Sequence, residues 1–221
     1  GDSGYIVNEN LKAEVLTTFK VNHLFVHRCQ VVNGEIKVGD YAFAQIDSAR
    51  RAQIRVHHTS AHLLQAALIK VLGDEVKQAG SQVEENRMRF DFTFSRAMTP
   101  QEVKKTEDIM NKWIGEKLPV NTDVMGIEEA KLTGATALFG EKYEDVVRVV
   151  SIGGKAKCNC GSDCSCDHES GEEKEVISKE FCAGTHASNT ADLRLVKIVS
   201  EGAIAAGTRR IEAVVADAAL G

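Results

Sequence analysis

The spacing of apolar residues changes near residue 50 and divides the chain into a strand-rich start and a mixed remainder. Before that point, short runs such as Tyr5-Ile6-Val7 cluster or alternate β-forming residues. The pair Asn33-Gly34 is typical of a two-residue hairpin turn. Many short strands joined by tight turns predict a small β-barrel over residues 1–50.

A long helix is predicted next, because the apolar positions from Val56 to Leu72 fall on one stripe at helical spacing. Asp47 or Ser48 is suited to cap its start, and Gly73 to end it. The boundary between two domains is therefore expected near residue 50, with the second domain covering residues 51–221.

The stretch Met88–Phe94 alternates strictly between apolar and polar residues, as in a strand with one buried face. A second helix is predicted to start at Pro100, with Thr99 as its cap and Glu102 completing a capping box. Further strands are expected at 118–125, 146–152, 193–199 and 210–215, and a short helix at 127–131. Antiparallel strands with interspersed helices indicate the α+β class.

Composition limits the possible functions. A hydrophobic share of 43% and a charged share of 27% are ordinary for a soluble globular protein, and no apolar run is long enough to span a membrane. The net charge of −5 argues against broad affinity for nucleic acid, although a local basic groove stays open. The opening Gly1-Asp2-Ser3-Gly4-Tyr5 suggests an excised fragment. We therefore expect a cytoplasmic protein with no membrane partner.

Four of the six cysteines crowd into a stretch without core-forming residues, which predicts an insertion on a loop at about 155–175. Without a secretory signal we interpret the cysteines as reduced thiols. The insertion is either a second site for a soft metal or a disordered loop that varies between species. Its candidate ligands are Cys158, Cys160, Cys164, Cys166 and His168.

Two pairs of metal-type ligands carry the most specific chemistry. His58 and His62 lie four positions apart on the first predicted helix, so both imidazoles project from one face. Cys182 and His186 repeat this spacing in a turn that contains glycine. Three nitrogen donors and one sulfur donor suit a tetrahedral Zn²⁺ ion. The alternative is that His58 and His62 are ordinary surface or core histidines and that Cys182 is a buried thiol.

Six short segments of the chain carry recognisable motifs, namely His58–His62, Gly80–Ser81, Arg89–Phe92, Ala137–Tyr143, Glu180–His186 and Gly207–Ala213. Together they resemble the editing domain of alanyl-tRNA synthetases, and more broadly the free-standing trans-editing proteins and the threonyl-tRNA synthetase editing domain. The first 50 residues resemble the β-barrel that precedes this domain in the synthetase. The chain departs from the family at Ala183, where the usual turn has glycine, and in the cysteine-rich insertion.

The resemblance implies an aminoacyl-tRNA deacylase that releases wrongly attached serine or glycine from tRNA(Ala). Its zinc would be held by His58, His62, Cys182 and His186, and would orient either the substrate's amino acid or an attacking water. The implied partners are the charged acceptor end and, for a fragment, the rest of the synthetase, whose full-length form binds ATP.

The alternatives are a free-standing trans-editing protein and a non-enzymatic zinc-stabilised module that binds tRNA. A metalloprotease is a weaker third alternative, because the motif His-Thr-Ser-Ala-His lacks the glutamate that follows the first histidine in such enzymes.

Eight further residues are candidates for the pocket. Gln78 and Ser81 are expected to line it, Asp91 to orient a ligand histidine, and the backbone of Gly184 to bind the substrate carbonyl. For each there is a structural alternative, such as loop polarity or an ion pair between Asp91 and Arg89. The substrate-binding candidates are Thr59, which with Ser81 is suited to recognise serine's hydroxyl, and the basic residues Arg89, Arg209 and Arg210.

Overall fold

The computed structural model describes residues 1–22, 24–137, 143–157 and 169–219, and it divides into two compact units, Gly1–Gln53 and Ile54–Gly221. The candidate ligands of the cysteine-rich insertion, Cys158 to His168, lie outside the described residues. So does most of the Ala137–Tyr143 motif. None of the described helices is long and apolar enough to cross a membrane.

The first unit is a four-stranded antiparallel sheet with the strand order β3-β2-β1-β4. In the described residues β3 and β4 are the two edges, so the predicted closure into a barrel is not confirmed. The strands are β1 Gly4–Val7, β2 Leu11–Val21, β3 Leu24–Gly34 and β4 Phe43–Ile46.

The predicted hairpin turn at Asn33-Gly34 is wrong, because both residues are paired with β2 at the end of β3. Gly34 has a φ of 83°, and a Cβ atom there would collide with the backbone of Asn10. The glycine is therefore needed for a close approach of two backbones rather than for a tight turn.

Three helices have the predicted positions. Helix α1 spans Ser48–Leu72; the Asp47 side chain accepts a hydrogen bond from the Arg50 amide at its start, and Gly73 follows its end with a φ of 102°. Helix α2, Pro100–Gly115, carries the predicted capping box, and α3 spans Ile127–Leu132.

The described part of the second unit contains two antiparallel sheets, which together with the helices confirm the α+β class. The strand orders are β10-β11-β6-β5 and β7-β8-β9. Two short 3₁₀ turns cover Thr190–Leu193 and Ala216–Ala219. The strands are β5 Gln78–Val83, β6 Met88–Thr93, β7 Val120–Gly126, β8 Val146–Lys157, β9 Glu169–Phe181, β10 Val196–Ala205 and β11 Thr208–Val215.

Four of these strands differ from the prediction. Strand β5 was not expected. Strands β8 and β9 extend into the predicted loop, reaching Lys157 and starting at Glu169, so both ends of the insertion are paired strands. Strand β10 starts at Val196 rather than at the predicted residue 193, because residues Thr190–Leu193 form a 3₁₀ turn.

The main core lies between α1 and the aromatic face of β6. Phe90 and Phe92 are almost fully buried, as are Leu63, Leu64 and Leu68 of the helix. Because residues alternate along a strand, this packing turns the Phe90 face of β6 toward α1 and its polar residues to the opposite side. The helix that carries the two histidines is thus held against the sheet.

Candidate metal centre

The structure brings together the four predicted ligands, His58, His62, Cys182 and His186. Their ligand atoms all lie within 4.8 Å of one another. The Cys182 Sγ atom is 3.4 Å from His58 Nε2 and 3.2 Å from His186 Nε2. Around one tetrahedral zinc ion, neighbouring ligand atoms lie roughly 3.3–3.8 Å apart, given the usual bond lengths. The donor set and its spacing therefore fit a zinc ion.

Each histidine ring is held at its other nitrogen. His58 Nδ1 lies 3.2 Å from the carbonyl oxygen of Thr185, and His62 Nδ1 lies 2.9 Å from a carboxylate oxygen of Glu180. Because a carbonyl oxygen and a carboxylate oxygen offer only lone pairs, protons on these Nδ1 atoms would leave the Nε2 atoms free for a metal. Such partners orient ligand histidines and increase metal affinity.

The third histidine is oriented by Thr59. Its Oγ1 atom lies 3.1 Å from His186 Nδ1 and accepts a hydrogen bond from the Ala187 amide at 3.0 Å. Thr59 is fully buried in α1 and does not line the cavity beside the ligands. In the structure the Thr59 hydroxyl therefore contacts His186, one of the candidate metal ligands. Its contact with the hydroxyl of a serine substrate stays a prediction.

The turn from Cys182 to His186 requires its glycine for space. A Cβ atom on Gly184 would overlap the His58 ring, coming within 2.6 Å of Nδ1. Ala183 does not have a positive φ, so the alanine at this position introduces no backbone strain. The predicted binding of a substrate carbonyl by Gly184 stays a prediction.

Two arginines that the sequence analysis missed fasten this turn. Arg148 Nη1 donates to the carbonyl oxygens of Ala183, at 2.7 Å, and Gly184, at 3.0 Å. Arg55 Nε donates to the carbonyl oxygen of His186 at 2.5 Å. No local pattern connects these residues with the turn, because the contacts depend on how β8 and α1 are placed.

The electrostatics of the cluster favour a thiolate. Burial opposes ionisation of Cys182, but hydrogen bonds with His186 and His58 lower the pKa of its thiol to about 3. Burial lowers the pKa of His186 to about 4, which leaves that ring neutral. Burial also acts against a charged His62, yet Cys182 and Glu180 raise its pKa to about 10. The extra proton on His62 thus compensates the negative charge of the Cys182 thiolate. A bound divalent cation would compensate the same charge.

A cavity of about 70 Å³ adjoins the cluster and is lined by both Gln78 and Ser81. These residues are three apart, which in a regular strand would place them on opposite faces. The register of β5 shifts between Gln78 and Gly80, so that Gln78 lies opposite Phe92 and Ser81 opposite Phe90. Both side chains therefore face α1, and Gln78 Nε2 donates to Ser81 Oγ at 3.1 Å.

The carboxylate predicted to orient a ligand histidine is not Asp91 but Glu180. Asp91 alternates with Phe90 and Phe92 and so lies on the far face of β6. There it accepts two hydrogen bonds from Arg210, at 2.7 and 2.8 Å. Arg210 lowers the pKa of this carboxyl more than any other group. Any other role of Asp91 in a reaction stays a prediction.

The predicted basic residues are ion-paired and do not line the cavity. Arg89 Nε is 3.8 Å from Asp91, which Arg210 also binds. Arg209 makes a two-pronged ion pair with Glu201, at 2.6 and 2.8 Å. Contact of Arg89, Arg209 or Arg210 with an RNA end therefore stays a prediction.

Comparison with protein families identifies the class that this fold and cluster define. Residues 147–212 match the family described as the threonyl and alanyl tRNA synthetase second additional domain. The match runs from β8 into β11 and includes Cys182 and His186, whereas the two helical histidines precede it.

Comparison of the whole chain with individual proteins identifies alanine–tRNA ligases as relatives. The chain is 45% identical over 220 residues to an alanine–tRNA ligase of Synechococcus sp. (strain JA-3-3Ab), covering 100% of this chain and 22% of that ligase. It is 42% identical over 214 residues to an alanine–tRNA ligase of Thermosynechococcus vestitus (strain NIES-2133 / IAM M-273 / BP-1), covering 97% and 22%. It spans about a fifth of the length of these relatives. The chain is thus related to the editing-domain region of alanyl-tRNA synthetases.

Proposed function

We propose that the second unit is a zinc-dependent deacylase that hydrolyses the ester between serine or glycine and tRNA(Ala). The observation that carries this proposal is a compact set of three histidines and one cysteine beside a small cavity. The relation to alanine–tRNA ligases supports the choice of tRNA.

The size of the cavity supports a small aminoacyl group as substrate. About 70 Å³ equals the space of roughly two to three water molecules in the liquid. A synthetic site for alanine discriminates weakly against glycine, which lacks one methyl, and against serine, which adds one hydroxyl. A separate hydrolytic site for small residues corrects such errors.

Each part of the site has a stated task in this proposal. His58, His62, Cys182 and His186 would hold a zinc ion. The ion would act as a Lewis acid toward an ester carbonyl or a water by taking that oxygen as a fifth ligand. Gln78 and Ser81 bind the aminoacyl group from the sheet side of the cavity. Glu180 fixes the orientation and the protonated nitrogen of His62.

The proposed partners are the acceptor end of tRNA(Ala) carrying serine or glycine and the remainder of a synthetase chain. A cytoplasmic location, where tRNA is charged, belongs to the same proposal. Arg89, Arg209 and Arg210 are proposed to contact the RNA end, which requires them to exchange a carboxylate partner for a phosphate.

The test is release of serine from Ser-tRNA(Ala) by the purified, zinc-loaded chain. We expect release that a chelator stops and that added zinc restores, with correctly charged Ala-tRNA(Ala) hydrolysed much more slowly. Binding of the tRNA without release, by a folded sample with one zinc ion per chain, would instead identify a non-enzymatic tRNA-binding module.

A further inference from the structure

A buried glutamine beside the metal centre has an unused hydrogen-bond acceptor. Gln65 lies three residues after His62 in α1, and only 7% of its surface is exposed. Among the described residues, none donates a hydrogen bond to its Oε1 atom. Buried amide oxygens in proteins are nearly always paired, because an unpaired one loses its hydration without compensation. Such an atom next to a candidate site is therefore available to accept a hydrogen bond from a ligand.

Gln65 borders the small cavity at the cluster, and with Glu180 it also borders a second cavity of about 320 Å³. Both carboxylate oxygens of Glu180 are occupied, one by His62 at 2.9 Å and the other by the Ser178 hydroxyl at 2.8 Å. Glu180 is thus engaged with two neighbours, whereas the amide oxygen of Gln65 has no donor among the described residues.

We propose that Gln65 is a specificity-determining residue whose Oε1 atom accepts a hydrogen bond from the side-chain hydroxyl of a seryl ester. This inference rests on the proposed function and names the residue that separates its two substrates. A hydroxymethyl group fits the small cavity and brings a donor, whereas glycine brings none and leaves the amide oxygen unpaired. A hydrogen bond to the seryl hydroxyl therefore favours the seryl ester over the glycyl ester, which binds without it.

The test compares Gln65→Met, which keeps the length of the side chain and removes the acceptor, with the wild type. The probes are adenosine analogues in which serine or glycine is attached to the 3′ position through a non-hydrolysable amide. Their dissociation constants are measured by calorimetry on the zinc-loaded chain. Gln101→Met, at an exposed position of α2, is the matched control. Gln65→Glu restores an acceptor oxygen.

We expect Gln65→Met to weaken binding of the seryl analogue about tenfold, the usual order for one lost hydrogen bond in a buried site. Binding of the glycyl analogue should change by less than about twofold on the same grounds, because it makes no such bond. Gln65→Glu should recover part of the preference, and the control should match the wild type.

Equal weakening of both analogues would overturn the inference, because it would mean that Gln65 binds the shared amino group or only maintains the fold. An unchanged ratio, or a wild type without any preference for the seryl analogue, would overturn it as well. The proposed function fails separately: a wild type that prefers the seryl analogue but releases serine from no charged tRNA would retain the role of Gln65 and exclude the deacylase.

Discussion

The two units of the chain use their apolar residues differently. In the first unit, Leu24, Phe25, Tyr41 and Phe43 are each at least 70% exposed, and its buried hydrophobic residues among those described are Leu11, Ala13 and Val15. In the second unit, large apolar side chains of α1 and β6 are almost completely buried.

This difference shows that an alternating pattern predicts strands but not how much of their surface is buried. Burial of apolar area is the main source of folding stability. The second unit has a buried apolar core and, next to it, the cluster of three histidines and one cysteine. We expect substitutions in either to have large effects on stability or zinc affinity. Exposed positions of the first sheet should tolerate substitution.

The largest effect is expected for removal of the thiolate. Cys182→Ala should reduce zinc affinity roughly 100-fold or more, and serine release with it, because a neutral methyl group replaces the one anionic ligand. Zinc content after dialysis measures this directly. Cys29→Ala, in the first unit, should retain full zinc content; similar losses in both variants would contradict the assignment.

Glu180→Gln tests the carboxylate that orients His62. Loss of such a partner typically lowers metal affinity about 10–100-fold, because the ring nitrogen becomes less basic and less well oriented. Competition with a chromophoric chelator gives the affinity. Glu175→Gln, at an exposed position on the same strand, serves as the control and should bind zinc as the wild type does.

Gly184→Ala tests the close approach of the turn to the His58 ring. The added methyl group has to displace the ring or the turn, which should destabilise the unit by about 1–3 kcal/mol and lower zinc affinity. Thermal unfolding with and without zinc measures both effects. Gly202→Ala, where a Cβ meets nothing within 4 Å, should be close to neutral.

Asp91→Asn tests the polar face of β6, which we place apart from the metal centre. We expect a loss of about 2 kcal/mol in the free energy of unfolding, because Arg210 loses a charged partner, with zinc content unchanged. Asp108→Asn, in an exposed ion pair on α2, should cost much less. Loss of zinc from Asp91→Asn would contradict the separation of the two faces.

The wild type and Asp91→Asn can also be compared as a function of pH. Because Arg210 holds the pKa of Asp91 below its ordinary 3.8, the ionised carboxylate stabilises the fold at higher pH. The difference in stability between wild type and Asp91→Asn should be constant from about pH 5 to 8, and should shrink as the pH falls below about 4. A difference that grows on acidification would have the wrong sign.

The smallest effect on stability is expected at an exposed position of the first sheet. Phe25 is 72% exposed, so Phe25→Thr should change the free energy of unfolding by less than about 0.5 kcal/mol. Denaturant titration measures this change. A loss above about 1.5 kcal/mol would show that this side chain is buried in solution, in contradiction to the comparison of the two units.

Local patterns were sufficient to predict the helices and the ligand set. The capping box at Thr99 and the four-residue spacing of the histidines depend on neighbours in sequence, and the structure has both. Glu180 and Arg148 were missed because their contacts with His62 and with the turn arise only when β8, β9 and α1 meet. The paired ends of the insertion were missed because Gly171 and its acidic neighbours lack a strand pattern.

Cobalt substitution tests the central claim most directly, in a variant with Cys158, Cys160, Cys164 and Cys166 replaced by serine to exclude the insertion. We predict one Co²⁺ ion per chain, with the intense visible bands of a tetrahedral site and a thiolate charge-transfer band that disappears on Cys182→Ala. An octahedral spectrum, or a charge-transfer band that persists without Cys182, would contradict a site built from His58, His62, Cys182 and His186.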